Sequence, residues 1–478
     1  MTVTIAKLDG SPAHLSDDAV AGLRTQLRGE LVVSDDPQAL SEPRPVWNAM
    51  HVDRPAVTAR CAGMADVVDA VNFARDHGLV VAVRGGGHSV AGLSTVRDGM
   101  LIDLSAMRGV QVDPERRLVR VQGGAVLGDV DRETQAFGLA TPLGRVSDTG
   151  VAGLTLGGGY GHLETKYGLS CDNLVEAQVV CADGQVRTAS AESHPDLYWA
   201  IRGGGGNFGV VTSFTFQLHP VGPIVPFAGV FYPLEDLPDV LRRWRDYVAT
   251  APDEVTTFTV ALTFPAAPDM PEIIHDRQVA IVAGVHCGDL EAGMQALQPL
   301  RELGTPLFDM SQPMPYTILQ SAFDPFFPRQ ASRAYWKSTY LDELTDDAID
   351  TIARKALDRP APMTGIGTFH LGGAVHAVAA DDTAFAERSA PFMVSIDTTW
   401  DDPAQDAAAI AWGRATWEEI AKYGNGNVFL NFTGLADESL LSHVSNAYGR
   451  NLRRLGQIKA AYDPGNLFRI NNNIIPAP

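Results

Sequence analysis

Three glycine clusters punctuate the first half of this 478-residue chain: RGGGH at 84–88, GGGYG at 157–161 and GGGGNFG at 203–209. Glycine lacks the Cβ that forbids left-handed backbone and close approach, so each cluster demands a sharp turn or a backbone pressed against something else. Successive N–H groups in such a turn can converge into an anion-binding nest without any helix.

The clusters can be tested against known phosphate-binding patterns. The one literal GxGxxG is Gly204, Gly206 and Gly209, but VVTSFTF follows, which alternates like a strand. A dinucleotide fingerprint needs a helix there to receive the pyrophosphate, so this reading fails. No GxxxxGK[ST] occurs either. The first cluster has a different context. Val67, Val71 and Ala74 share one helical face, Gly78 ends that helix, LVVAV is a buried strand, and the turn precedes a further strand, LIDL. A glycine nest between strands suits a pyrophosphate.

The chain is long enough for two domains, possibly interleaved. Residues 54–218 alternate short apolar runs with glycine turns, and HPVGPIVP at 219–226 marks a boundary. Beyond it, Leu237, Val240, Leu241, Trp244, Tyr247 and Val248 predict a helix, and Phe258, Val260, Leu262 and Phe264 a strand with one buried face. Leu290, Met294, Leu297 and Leu300 predict another helix, RQVAIVAGVH and FMVSIDTTW two more strands, and Ile410–Tyr423 a helix closed by Gly424. An antiparallel sheet covered by helices follows, and the fold class is α+β.

Asp and Glu outnumber Lys and Arg by 57 to 37, a formal charge of -20, which argues against nucleic acid or an anionic membrane and for a small neutral or cationic substrate. The N-terminal stretch has no secretory pattern and no apolar run reaches spanning length, so a cytoplasmic location is expected. Cys61, Cys171, Cys181 and Cys287 have no CxxC spacing and are read as buried free thiols. No HExxH or Cys/His cluster at ligand spacing appears, His370 and His376 being six apart, so no metal site is expected.

RGGGH after a helix and strand, GGGYGHLETKYGLSCDN at 157–173, DLYWAIRGGGGNFGVVTSF and YDPGNLFRINNNI at 462–474 together resemble the berberine bridge enzyme-like FAD-linked oxidases. These belong to the vanillyl-alcohol oxidase and p-cresol methylhydroxylase (PCMH) fold group. The motifs span nearly the whole chain and are most similar to bacterial members with one flavin attachment. The resemblance implies a two-domain PCMH-type fold: an FAD-binding domain at 1–222, a substrate domain at 223–425, and a C-terminal segment at 426–478 that returns to the flavin domain.

It also implies site residues. Arg84, Gly85, Gly86, Gly87 and Ser89 would bind FAD, and His88 would be bonded through a ring nitrogen to the flavin's benzene-ring methyl group. Some members carry a second link from a cysteine whose place in GRVSDTGVAG, 144–153, is taken here by Val146, so a single link is expected. Ser147, Thr149, Gly150 and Gly153 would approach the flavin ring and ribityl chain. Gly157, Tyr160 and Gly161 would continue that wall, Val211 would pack by its main chain, and Asn471 and Asn473 belong to the final asparagine-rich motif.

Many members use a tyrosine base in a YxNY motif. This chain has FLNF at 429–432, and Phe432 cannot accept a proton. His162 and His370 are then the candidates for proton transfer, with a satisfied core histidine as the alternative for each. Tyr160 and Asn431 are candidate orienting groups, and YWKSTYL offers Tyr335, Lys337 and Tyr340 as pocket walls. The expected function is an FAD-dependent oxidase acting on a small aromatic or polyketide-like secondary metabolite, with dioxygen reduced to hydrogen peroxide. A flavin oxygenase or oxidative cyclase on the same fold is the alternative, and a non-catalytic flavin-binding module a third. A monomer or homodimer is expected.

Overall fold

The computed structural model describes residues 3–34, 46–435 and 444–478. The first half builds two main sheets, beside two two-stranded pairs, Val3–Ala6 with Pro12–Leu15 and Leu139–Ala140 with His219–Pro220. Strands Glu30–Val33, Val57–Arg60, Met100–Asp103 and Val81–Arg84 form the first, in that order, with the last three parallel and the first pair antiparallel. Helix Met64–His77 bridges two of these strands, burying Val67, Ala70, Val71 and Ala74 and ending at Gly78 with φ 64°. The RGGGH turn therefore leaves the end of a short strand and opens the crossover to the parallel strand Met100–Asp103. Leu118–Gln122, Leu174–Val180 and Val210–Gln217 lie inside a five-stranded antiparallel sheet. The strand after GGGGNFG removes the dinucleotide-helix reading in structure as in sequence.

The second half is an antiparallel sheet of eight strands, among them Ile224–Pro233, Val255–Phe264, Arg277–His286, Arg333–Leu341, Gly365–His370 and Phe392–Trp400. Period-two alternation divides its side chains between two environments. One face packs Val230, Val282, Val394 and Ile396 under helices Leu237–Val248 and Asp346–Leu357. The other directs Phe258, Phe369 and Met393 toward the first half of the molecule.

Two local expectations are corrected. The last predicted helix spans Asp406–Ile420 and tightens to a 3-10 turn, and Gly424 has φ −83°, not a left-handed cap. A Cβ at Gly424 would stand 2.3 Å from the Thr339 hydroxyl, so close packing and not dihedral freedom explains that glycine. Within Arg333–Leu341 two of the three expected wall residues face the covering helix, and only Tyr340 lies on the cavity side, bonded to Tyr160. Tyr335 packs on Gly413 of the covering helix, and Lys337 lies over Trp417 at 4.4 Å. Trp336 faces the cavity instead.

The C-terminal segment returns across the molecule. Tyr448, Leu455, Ile458 and Ile474 join the core of the five-stranded sheet, and Leu467 and Phe468 join that of the four-stranded one. Lys459, fully buried, donates to Asp463 at 2.6 Å, to the Asn207 carbonyl at 2.6 Å and to the Phe468 carbonyl at 2.9 Å.

Candidate active site

The glycine turns, the returning C-terminal segment and the free face of the large sheet enclose a cavity of ≈ 390 Å³. Its first arm is backbone. Gly86 and Gly150 touch, a Cβ on either falling 2.3 to 2.4 Å from the other's main chain, and Gly87 adopts φ 72°. Gly153 and Gly206 line the cavity, and a Cβ on either would meet nothing within 4 Å, so open space lies against bare main chain. Beside it, the buried side-chain Oδ1 atoms of Asn471 and Asn472 and the Tyr448 hydroxyl have no partner among the described residues, although buried polar atoms are normally satisfied. Such a cradle, narrow, amide-rich and short of hydrogen-bond partners, fits a nucleotide-bearing cofactor.

The second arm is aromatic. Phe258, Phe323, Trp336, Phe369, Phe429 and Phe432 wall it. Into this chamber projects a carboxylate, Asp397, on the cavity-facing side of strand Phe392–Trp400. It is removed from bulk solvent, and burial pushes its carboxyl up to about 7, offset in part by the Ser395 hydroxyl, which donates to it. Gly365 lies opposite it across the strand pair. Arg145 enters from the glycine-rich side, 4.7 Å from the Phe258 ring centre and 5.1 Å from that of Phe369. Its Nη2 donates to Glu164 at 2.9 Å and to the Gly161 carbonyl at 2.8 Å.

His88 stands on the cavity wall. Its Nε2 lies 3.1 Å from an Asp148 oxygen, and the Trp47 ring stacks on it at 4.9 Å and 17°. Of the other sequence-derived residues, Gly85, Gly86, Gly87, Ser89, Thr149, Gly150, Gly153, Gly157, Tyr160, Val211, Asn431 and Asn471 all line the cavity. Tyr160 shares a 2.7 Å hydrogen bond with Tyr340, and burial holds its phenol well above the usual range. Asn431 donates to the Leu154 carbonyl at 3.3 Å. Val146 also lines the cavity, while Cys171 is buried elsewhere beside Arg388 and Asp172.

Several expectations fail on geometry. Arg84 turns away to pair with buried Asp103, and the Ser147 hydroxyl donates to Asp324. A Cβ at Gly161 would overlap the Leu143 carbonyl, so that glycine serves packing. Asn472, not Asn473, accompanies Asn471 on the wall. Neither histidine reaches the cavity surface. His162 is buried behind Phe258 and Phe323 with both ring nitrogens unpartnered among the described residues, and burial, with Arg145 adding to it, holds it neutral. His370 ends its strand against Phe392, where burial lowers it to about 4. Sequence reasoning missed Asp397, Arg145 and the wall formed by Gly203, Gly205, Gly206 and Gly209. A lone acid within FMVSIDTTW was the available signal for the first.

Comparisons with known proteins converge on this architecture. The family model described as FAD binding domain matches residues 55–190, and the one described as berberine and berberine like matches 428–475. The chain is 30% identical over 459 residues to the FAD-linked oxidoreductase YgaK of Bacillus subtilis, covering 95% of this chain and 98% of that one. It is 33% identical over 288 residues to (R)-6-hydroxynicotine oxidase of Paenarthrobacter nicotinovorans, covering 59% and 60%. The crystal structure of 6-hydroxy-D-nicotine oxidase from Arthrobacter nicotinovorans superposes with a TM-score of 0.82 at 26% identity, covering 94% and 98%.

Proposed function

The chain belongs to the berberine bridge enzyme-like FAD-linked oxidoreductases, and on that premise we propose that it oxidises a small aromatic or polyketide-like metabolite and passes the electrons to dioxygen, releasing hydrogen peroxide. One observation carries the reading: a recessed carboxylate, Asp397, faces an aromatic chamber that opens onto the glycine wall. The aromatic walls select a planar, apolar substrate and exclude water. The flavin, when bound, supplies the acceptor for a hydride from the substrate carbon. Asp397 takes the proton from the substrate's hydroxyl or amine, the role that Phe432 cannot fill. Tyr160, kept neutral and tied to Tyr340, and Asn431 orient the substrate from the side.

Gly85–Ser89, Thr149–Gly153, Gly203–Gly206 and Asn471–Asn472 are the residues that would hold the FAD. His88 is the covalent tether through Nδ1, since Asp148 occupies Nε2. Val146 leaves the second attachment point without a thiol, so the link is single. The same reading has the enzyme working in the cytoplasm as a monomer or homodimer. Two measurements test it. Acid-denatured wild type should retain yellow fluorescence on the chain and His88→Ala should release it. A panel of aromatic alcohols, amines and phenols should yield one peroxide per substrate oxidised, and labelled dioxygen found in the product would replace the oxidase reading with an oxygenase.

A further inference from the structure

We propose that Asp148, held in place by Arg329, is the positioning residue that makes His88 competent to form its bond to the flavin. This rests on the covalent tether proposed above and goes beyond it, since it assigns the proton arrangement of the imidazole and the segment that enforces it.

The geometry is specific. Asp148 lies in the turn GRVSDTGVAG, facing the RGGGH turn, and one of its oxygens is 3.1 Å from His88 Nε2. Its other oxygen receives Arg329 Nε at 2.6 Å. Arg329 Nη2 donates to the Gly86 carbonyl at 2.7 Å and to Asp148's own carbonyl at 2.9 Å, so one guanidinium ties both turns together. Arg329 comes from the second half of the chain, and its neighbours repeat the attachment. Gln330 N–H donates to the Trp47 carbonyl at 2.9 Å, and Trp47 Nε1 donates to the Phe327 carbonyl at 2.8 Å. Trp47 in turn lies flat on the His88 ring. The imidazole is thus fixed in rotation by stacking and in tautomer by a carboxylate.

The tautomer follows from the partner. Burial raises the Asp148 carboxyl, but His88 and Arg329 outweigh it and hold the group below the usual carboxylate range, so it is ionised and can only accept. The neutral form of His88 then carries its proton on Nε2, which leaves the lone pair on Nδ1. Bond formation uses that lone pair. A C–H bond of the flavin methyl group breaks, its hydrogen leaving as a proton and its electron pair entering the ring system, and the Nδ1–C bond forms. Dioxygen then takes the two electrons with two protons and leaves as hydrogen peroxide. The alkylated imidazole remains a cation bearing Nε2–H, and Asp148 is its counter-ion. With Asn in that place the amide can present N–H to the ring and favour the opposite tautomer, whose Nδ1 is blocked by a proton.

The test uses purified full-length protein and reads flavin attachment. Total FAD is measured by absorbance, and the attached fraction by fluorescence and peptide mass after acid denaturation. Wild type should be fully attached. Asp148→Asn and Asp148→Ala should bind FAD but fall at least tenfold in attached fraction, Asp148→Glu should recover most of it, and Arg329→Gln should show a partial loss. Full attachment in both Asp148→Asn and Asp148→Ala overturns the inference while leaving the tether intact. Free flavin from wild type overturns the tether itself, and this inference with it. If Asp148→Asn is not recovered folded, Asp148→Ala against Asp148→Glu carries the same comparison, and full attachment in Asp148→Ala overturns the inference, while full attachment in Arg329→Gln overturns the role given to Arg329.

Discussion

On the proposed function, Asp397 takes the place of an absent tyrosine by a different route to the same end. A phenol becomes a base only when its neighbours stabilise phenolate, whereas a carboxylate becomes a useful base when burial raises it toward neutrality. Because the acid must lose its proton to act, kcat/KM is expected to rise with pH through about 7. Asp397→Asn should remove that limb and lower kcat/KM by about 10²–10⁴-fold with flavin content unchanged, as measured by steady-state assays across pH. The two histidines show why this residue escaped notice in the sequence. Histidine is the usual proton carrier, but His162 and His370 sit away from the cavity surface, and only the sheet register reveals that. The glycines were legible because their chemistry is local, while the pairing of His88 with Asp148, 60 residues away, was not.

At the level of elements, backbone contact between turns is the restrictive feature. Gly86→Ala would put a methyl group 2.4 Å from Gly150, and neither main chain can retreat without moving its strand or helix. The variant is expected to purify without flavin and with a lowered Tm, as checked by absorbance and thermal melts. A second element-scale test concerns helix Leu127–Gln135, where buried Asp131 accepts from Gln320 at 3.1 Å and burial pushes its carboxyl up to about 7. A carboxyl raised on folding binds its proton more tightly in the native state, so its stabilising contribution is present at acid pH and is lost as pH rises from about 4 to about 7. Asp131→Asn should therefore match wild type in Tm near pH 4 and exceed it at pH 8. Strands RQVAIVAGVH and FMVSIDTTW were readable to the residue, because their apolar runs have clear ends. Which face of YWKSTYL met the cavity was not, since that depends on neighbours distant in sequence.

Across the whole molecule, two cores are joined by segments that cross between them. The buried Lys459–Asp463 pair ties the C-terminal segment to Asn207 and uses all three ammonium donors. Breaking such a pair from one side strands a charge, so Lys459→Met is expected to cost about 3–5 kcal/mol, visible as a lower denaturation midpoint in urea. The proline-rich stretch at 219–226 was read as a domain boundary, and the first strand of the large sheet begins within it at Ile224, while the return of the last residues was implied only by the family resemblance. The Asp324–Gln330 stretch that laces the halves together carries no sequence mark of that task.

The asparagines at 471 and 472 wall the same cavity as the glycines at 85–87, although nearly four hundred residues of chain separate them. During synthesis, until Asn472 has cleared the ribosome, the nascent protein has its glycine turns but no complete vessel for the flavin. On the proposed function, colour is therefore expected late, and a yellow preparation would report chains that were made through this segment and closed.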